Sequence, residues 1–192
     1  NIKINDLYKD GLQRNQFIPF IKIMKKKCFE QTLTIKDDYR KSQNNDRYLY
    51  PLNEITSFKI NKLFRKLTKD KIKQEKILSI KGRKFNIKNY YEGVARLDFN
   101  DLCNKNIGAE DYIKIADVCK YILIENLPNF DDNNSNQQQR FITLIDIIYE
   151  KKVNLSISSV SKLDKLTTAS SLSGPFKRTL SRLHELTSSS NI

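Results

Sequence analysis

Apolar residues in this chain recur with two different periods, and the periods divide it into alternating helices and strands. Within residues 58–67 they stand at Ile60, Leu63, Phe64 and Leu67, a spacing that collects them on one helical face. Residues 17–27 read as a helix too. Pro19 suits its first turn, Phe20, Ile21 and Met24 share a face, and Lys25, Lys26 and Lys27 suit its C-terminus. Residues 6–16 read as a short helix or turn interrupted at Gly11. Residues 28–35 and 93–99 alternate as strands do, while 77–80 and 85–87 flank Gly82 as a hairpin. Residues 69–76 are a charge run, read as a solvated segment, and 111–119 read as a helix.

The clearest fold signal lies further on. Tyr121, Ile122, Leu123 and Ile124 form a continuous apolar strand, and 130–136 form a polar loop. Residues 137–151 carry Phe141, Leu144, Ile145 and Ile148 on one helical face, and 153–157 form a second strand. Strand, helix, strand at this spacing predicts a βαβ unit closing right-handed on a parallel sheet. The predicted fold class is therefore α/β. Such sheets hold ligands at the C-terminal strand ends, here Glu125-Asn126 and Ser158-Ser159. Neither offers a glycine-rich anion cradle, so no site is assigned there. The Ser/Thr-rich residues 158–173 read as a mobile loop, and Gly174-Pro175 opens a last helix. On that helix Phe176, Leu180 and Leu183 take one side; Arg178, Arg182 and Glu185 take another.

Composition narrows the classes. The chain has 192 residues and is 39% hydrophobic, enough to bury a core. No apolar run reaches the roughly 18 residues that span a bilayer, and no signal-peptide pattern opens the chain. The net charge of +13 suits nucleic acid, anionic lipid or an acidic partner. The joint abundance of Lys, Asn and Ile gives it a second source, the codon bias of an A/T-rich genome. Cys28, Cys103 and Cys119 form no Cys-x-x-Cys pair and read as reduced, mostly buried thiols. The single histidine, His184, reads as a solvent-facing helix residue and leaves neither a metal site nor a Ser-His-Asp arrangement.

Four blocks carry a further signal. Asn1, Leu7-Tyr8, Gly11-Leu12, Arg14, Phe17, Pro19 and Ile21 follow N-x-x-P-x-x-L-Y-x-x-G-L-x-R-x-x-F-x-P-x-I, with Asp38-Tyr39-Arg40 beyond. Gly93-Val94-Ala95, Phe99, Leu102-Cys103, Gly108-Ala109 and Asp111-Tyr112 follow G-V-A-x-F-x-F-x-x-L-C-x-x-P-L-G-A-x-D-Y. Arg140-Phe141-Ile142, Leu144-Ile145-Asp146 and Tyr149 follow R-F-I-x-L-I-D-x-x-Y. Arg178-Thr179, Ser181-Arg182-Leu183 and Glu185 follow R-T-x-S-R-L-x-E-M. In this order the blocks resemble the ZapE-like AAA+ ATPases, a family with bacterial cell-division and mitochondrial members. The chain departs from the pattern at Ile4, at Asn106-Ile107, at Gln139 and at Leu186.

The resemblance implies roles. Arg14 takes the place of an arginine finger, which stabilises charge on a transferring phosphoryl group. Asn1 takes that of the sensor-one residue that orients the attacking water. Arg178 and Arg182 are sensor-two candidates, and spacing does not choose between them. Asp38 and Arg40 form a structural pair, and Arg140 is a helix-start residue of either surface or functional kind. The resemblance also implies ATP and Mg2+ as cofactors of the complete enzyme and a ring-like homo-oligomer. It implies the bacterial cytoplasm or, alternatively, the mitochondrial matrix. Residues 1–40 would end the nucleotide-binding core, 41–186 would form an α/β lid region and 187–192 a disordered tail. The chain holds no G-x-x-x-x-G-K-[ST] and no strand ending in Asp-Glu. It is therefore expected to begin inside the enzyme and to be inactive alone. The alternative is a non-enzymatic basic module that binds nucleic acid or an acidic partner. No RNA-binding aromatic signature or helix-turn-helix supports nucleic acid, so the enzyme reading leads.

Overall fold

A computed structural model describes residues 4–7, 9, 11–29, 46–105 and 107–188. They fall in two compact units, one within 1–38 and one within 39–192. The first holds a 3-10 turn, Ile4–Asp6, and helix α1, Arg14–Lys27, which begins a turn earlier than the apolar pattern predicts. Cys28 and Phe29 lie outside regular structure; the rest of the strand expected at 28–35, and the Asp38/Arg40 pair, lie outside the described residues.

The second unit is built on one six-stranded sheet with the order β1-β6-β5-β4-β3-β2. The strands are β1 (Tyr48–Leu49), β2 (Lys73–Ile80), β3 (Arg83–Tyr91), β4 (Val94–Asp98), β5 (Tyr121–Leu127) and β6 (Asn154–Ser159). The neighbours β1/β6, β6/β5 and β5/β4 are parallel; β4/β3 and β3/β2 are antiparallel. The helices are α2 (Glu54–Thr68), α3 (Phe99–Cys103), α4 (Ala109–Val118), α5 (Ser135–Glu150) and α6 (Ser173–Thr187). The predicted βαβ unit is β5-α5-β6, and β4, α3, α4 and β5 make a second parallel crossover. The mixed α/β class read from sequence is thus observed.

Each element follows from its residues. Tyr121, Ile122, Leu123 and Ile124 are all buried because the central strand is covered on both faces. Asn53 caps α2, its side chain accepting from Thr56 N at 2.9 Å. Both hairpins close on two-residue turns with positive φ at each position, Lys81 (47°) with Gly82 (78°) and Glu92 (43°) with Gly93 (89°). That geometry matches the right-handed twist of the flanking strands and needs glycine at its second place. The charge run at 69–76 is only half solvated loop, since β2 starts at Lys73 and its polar residues line an exposed edge.

The main core lies between the sheet and α3, α4, α5 and α6. Phe99, Phe130, Phe141 and Phe176 pack at centroid distances of 5.6–6.0 Å. Phe130, expected in a polar loop, is therefore a core residue. A smaller cluster of Ile60, Val94, Tyr121 and Leu123 sits under α2 on the opposite face. Residues 158–173, expected to be mobile, are held down. Leu163, Leu166 and Ala169 are buried, and the wholly buried Gln138 amide bonds Thr168 Oγ1 at 2.7 Å and Ala169 N at 2.9 Å. Thr187, assigned from sequence to the tail, ends α6, and both it and Ser188 are buried; 189–192 lie outside the described residues. The Arg47 guanidinium ties this end to β6 by donating to the Ser188 carbonyl and, at 3.3 Å, to Asn154 Oδ1.

Candidate functional site

The third and fourth sequence blocks meet through their charged residues. The α5 block presents Asp146 and Tyr149, three residues apart and so on one helical face. The α6 block presents Arg178, Arg182 and Glu185 toward them. Arg178 Nη2 donates to Asp146 Oδ2 at 2.8 Å, and Arg182 Nη1 donates to Asp146 Oδ1. The Arg182 guanidinium also lies over the Tyr149 ring, 4.9 Å from its centroid. Tyr149 Oη in turn donates to the Glu185 carboxylate at 3.0 Å. Both sensor-two candidates thus share one carboxylate, yet their settings differ. The Arg182 side chain is 19% exposed and sandwiched; that of Arg178 is 61% exposed. A guanidinium held from one side and open on the other can still take an anionic oxygen. A cavity of about 410 Å³ opens against Tyr149 and Glu185 and is lined further by Lys152 and Asn154.

Asp146 and Tyr149 carried no assigned role in the sequence, although both stand in the quoted block. Their signal was available. A three-residue spacing on one helix faced a spacing of four and seven on another, with opposite charges. What the sequence lacked was the packing of α5 on α6.

The remaining candidates are separate. Arg14 opens α1, where its Nη2 donates to the Asn5 carbonyl at 2.8 Å and its Nη1 to the Leu7 carbonyl at 3.3 Å. This guanidinium tethers the preceding 3-10 turn to the helix. Asn1 lies outside the described residues. Arg140 donates to the Cys103 carbonyl at 2.9 Å and so closes the C-terminal end of α3. At the ends of the parallel strands a crevice of about 260 Å³ is lined by Asn53, Thr56 and Ser57 of the α2 entry with Glu125, Asn126 and Ser158. Its one carboxylate, Glu125, is held bidentate by Arg96 at 2.5 and 2.7 Å. That bond also pushes the Arg96 pKa up.

His184 is not solvent-facing: it is buried, with Nε2 2.9 Å from Asp164 Oδ1, because the turn Leu163–Lys165 folds over α6. Burial raises the Cys103 and Cys119 thiols to about 12, so neither is a nucleophile at neutral pH; Cys28 is exposed. Among the described residues no group of three or more His, Cys, Asp and Glu side chains could hold a metal ion. No helix among the described residues is long and apolar enough to cross a membrane.

The model of the AFG1-like ATPase family matches residues 1–192. Lactation elevated protein 1 homolog B of Danio rerio is 31% identical over 186 residues, covering 94% of this chain and 37% of that relative. The cell division protein ZapE of Escherichia coli K12 is 28% identical over 190 residues, covering 98% of this chain and 51% of ZapE. An uncharacterised protein of Schizosaccharomyces pombe is 32% identical over 163 residues, covering 81% of this chain and 35% of its own length. The chain thus spans about half the length of these relatives or less. No solved structure matches it. With the family's model matched along its full length, the chain belongs to the AFG1-like ATPase family.

Proposed function

We propose that these residues form the C-terminal part of an ATP-hydrolysing enzyme and contribute arginines to a nucleotide whose triphosphate is cradled elsewhere. Family membership over residues 1–192 supports the ATPase reading. The absence of G-x-x-x-x-G-K-[ST] from the 192 residues supports its division between segments. ATP and Mg2+ belong to the complete enzyme, and the chain alone is expected to be inactive. Residues 1–40 end the nucleotide-binding core in this reading, and 41–186 form the lid region.

The observation that carries the site assignment is the unequal setting of the α6 arginines on Asp146. Arg178, open on one side, is the nucleotide-contacting sensor. Arg182, stacked on Tyr149, positions it. Arg14 is the finger offered to a neighbouring subunit, which calls for a ring-like homo-oligomer. To act, it must exchange its bonds to the Asn5 and Leu7 carbonyls for phosphate oxygens. Asn1 is the sensor that orients water. The biological setting in this reading is the bacterial cytoplasm with a role in cell division, or the mitochondrial matrix with a role in protein quality control.

ATP binding and turnover of the complete enzyme test the assignment. Arg14→Ala is expected to keep ATP binding and to lose turnover by about a thousandfold or more. Arg178→Ala is expected to raise the ATP concentration for half-saturation about tenfold, the scale of one charge-assisted bond, at unchanged Tm. Unchanged turnover in the first, or unchanged saturation in the second, removes that residue from the mechanism.

A further inference from the structure

The two long faces of α2 have different fates. Its inner face, centred on Ile60, packs on the sheet. Its outer face carries Ile55, Phe58, Lys59, Lys62, Arg65 and Lys66, each three or four residues from another of the set, which gathers them in one stripe. The stripe has a polarity along its length. At the N-terminal end Ile55 is 66% and Phe58 68% exposed, and Tyr50 and Leu52 of the segment entering the helix are exposed as well. The remainder is cationic, over a helix of 15 residues that is about 22 Å long.

Lys59, Lys62, Arg65 and Lys66 form no ion pair with a described residue, whereas Asp101, Glu110, Asp117 and Asp146 are already paired with cations of the chain. No described residue supplies the acid that would complement the stripe. A second copy is disfavoured, because it repeats the +13 charge. Nucleic acid would satisfy the cations but leave Ile55 and Phe58 facing phosphates. A membrane-lying helix sinks an apolar face with its cations on the flanks; here cations follow the apolar pair along the same line, so lysines would sink as deep as Phe58.

The geometry points to the outer face of α2 as the docking surface for an acidic amphipathic protein segment. Its apolar residues cover Ile55 and Phe58, and its carboxylates run beside Lys59, Lys62, Arg65 and Lys66. Charge sets the register and speeds encounter, and the apolar end anchors the complex. The surface requires no nucleotide.

The test uses the 192-residue chain and four probes followed by fluorescence anisotropy or co-sedimentation. These are a labelled helical peptide as long as α2 with Leu and Phe at one end and a stripe of Glu beyond, and a scrambled peptide of identical composition. The others are phosphatidylcholine vesicles containing phosphatidylserine, and a DNA duplex. The patterned peptide, made with the apolar end first and last, is expected to bind in one direction about tenfold or more tighter than the scrambled one. Lys59→Glu with Lys62→Glu and Lys66→Glu is expected to weaken it by about a hundredfold, and Phe58→Ser by about tenfold. A lysine-for-glutamate version of the peptide is expected to bind the charge-reversed variant, which separates a lost surface from a misfolded one. Equal binding of both peptides, binding of neither, or binding of vesicles or DNA through the same residues without peptide preference overturns the proposal.

Discussion

Asp146 holds two guanidinium groups on one carboxylate, and so links both α6 arginines to α5. Replacing it with Asn keeps the shape and removes the charge. Urea denaturation of Asp146→Asn is expected to show a loss of about 1–3 kcal/mol, because Arg182 stays half-buried without its partner. Lys at position 182 does not rescue the site, since an ammonium neither stacks flat on Tyr149 nor forks to a carboxylate. The thiols give a second prediction. Ellman's reagent is expected to titrate Cys28 alone in the native chain and all three cysteines after denaturation. The raised thiols also act on stability. Below the unfolded thiol pKa, about 8.5, the Cys103 and Cys119 thiols are protonated in both states and their contribution is complete. As pH rises toward their folded values of about 12, only the unfolded chain releases these protons. Stability is then lost by up to ~1.4 kcal/mol per pH unit per thiol. Urea midpoints between pH 8 and 10 measure this, and Cys103→Ala with Cys119→Ala is expected to flatten the slope.

At the scale of elements, what periodicity conveys and what it omits divide cleanly. The strand β5, helix α5 and strand β6 were legible because each announces itself within its own residues: a continuous apolar run, a 3.6-residue stripe and a second short run. The segment 158–173 was not. Its Ser and Thr content matches loop statistics, yet Leu163, Leu166 and Ala169 anchor it, and the satisfying amide, Gln138, stands on α5 about thirty residues away in sequence. Gln138→Ala is expected to leave the buried Ala169 N without its acceptor and to destabilise the chain by about 1–3 kcal/mol. Hydrogen exchange is the sharper measurement: amides of 163–170 are expected to lose protection while those of β5 keep theirs. Equal loss in both would mean that the segment does not open by itself. The short β1 escaped notice because two residues, Tyr48 and Leu49, carry no period; only its parallel pairing with β6 makes it a strand.

For the molecule as a whole, the phenylalanine cluster is where the crossovers meet. Phe141 touches both Phe99 and Phe130, so Phe141→Ala is expected to lower stability by about 3–5 kcal/mol, read by thermal or urea unfolding. A value under 1 kcal/mol would mean that the cluster does not hold the unit together. The sequence by itself determined the α/β class, the central βαβ unit and, through four ordered blocks, the family. Each of these depends on residues close together in the chain or on a pattern kept in order. Tertiary structure alone decided which side chains meet. It gave Asp146 to both α6 arginines, left Arg178 open and Arg182 closed, buried His184 under the turn at Leu163, and left the outer stripe of α2 without an acidic partner among the described residues. Those outcomes turn on which helix faces pack together. A period places a residue on a face, but only the packing of one element on another says what that face will touch.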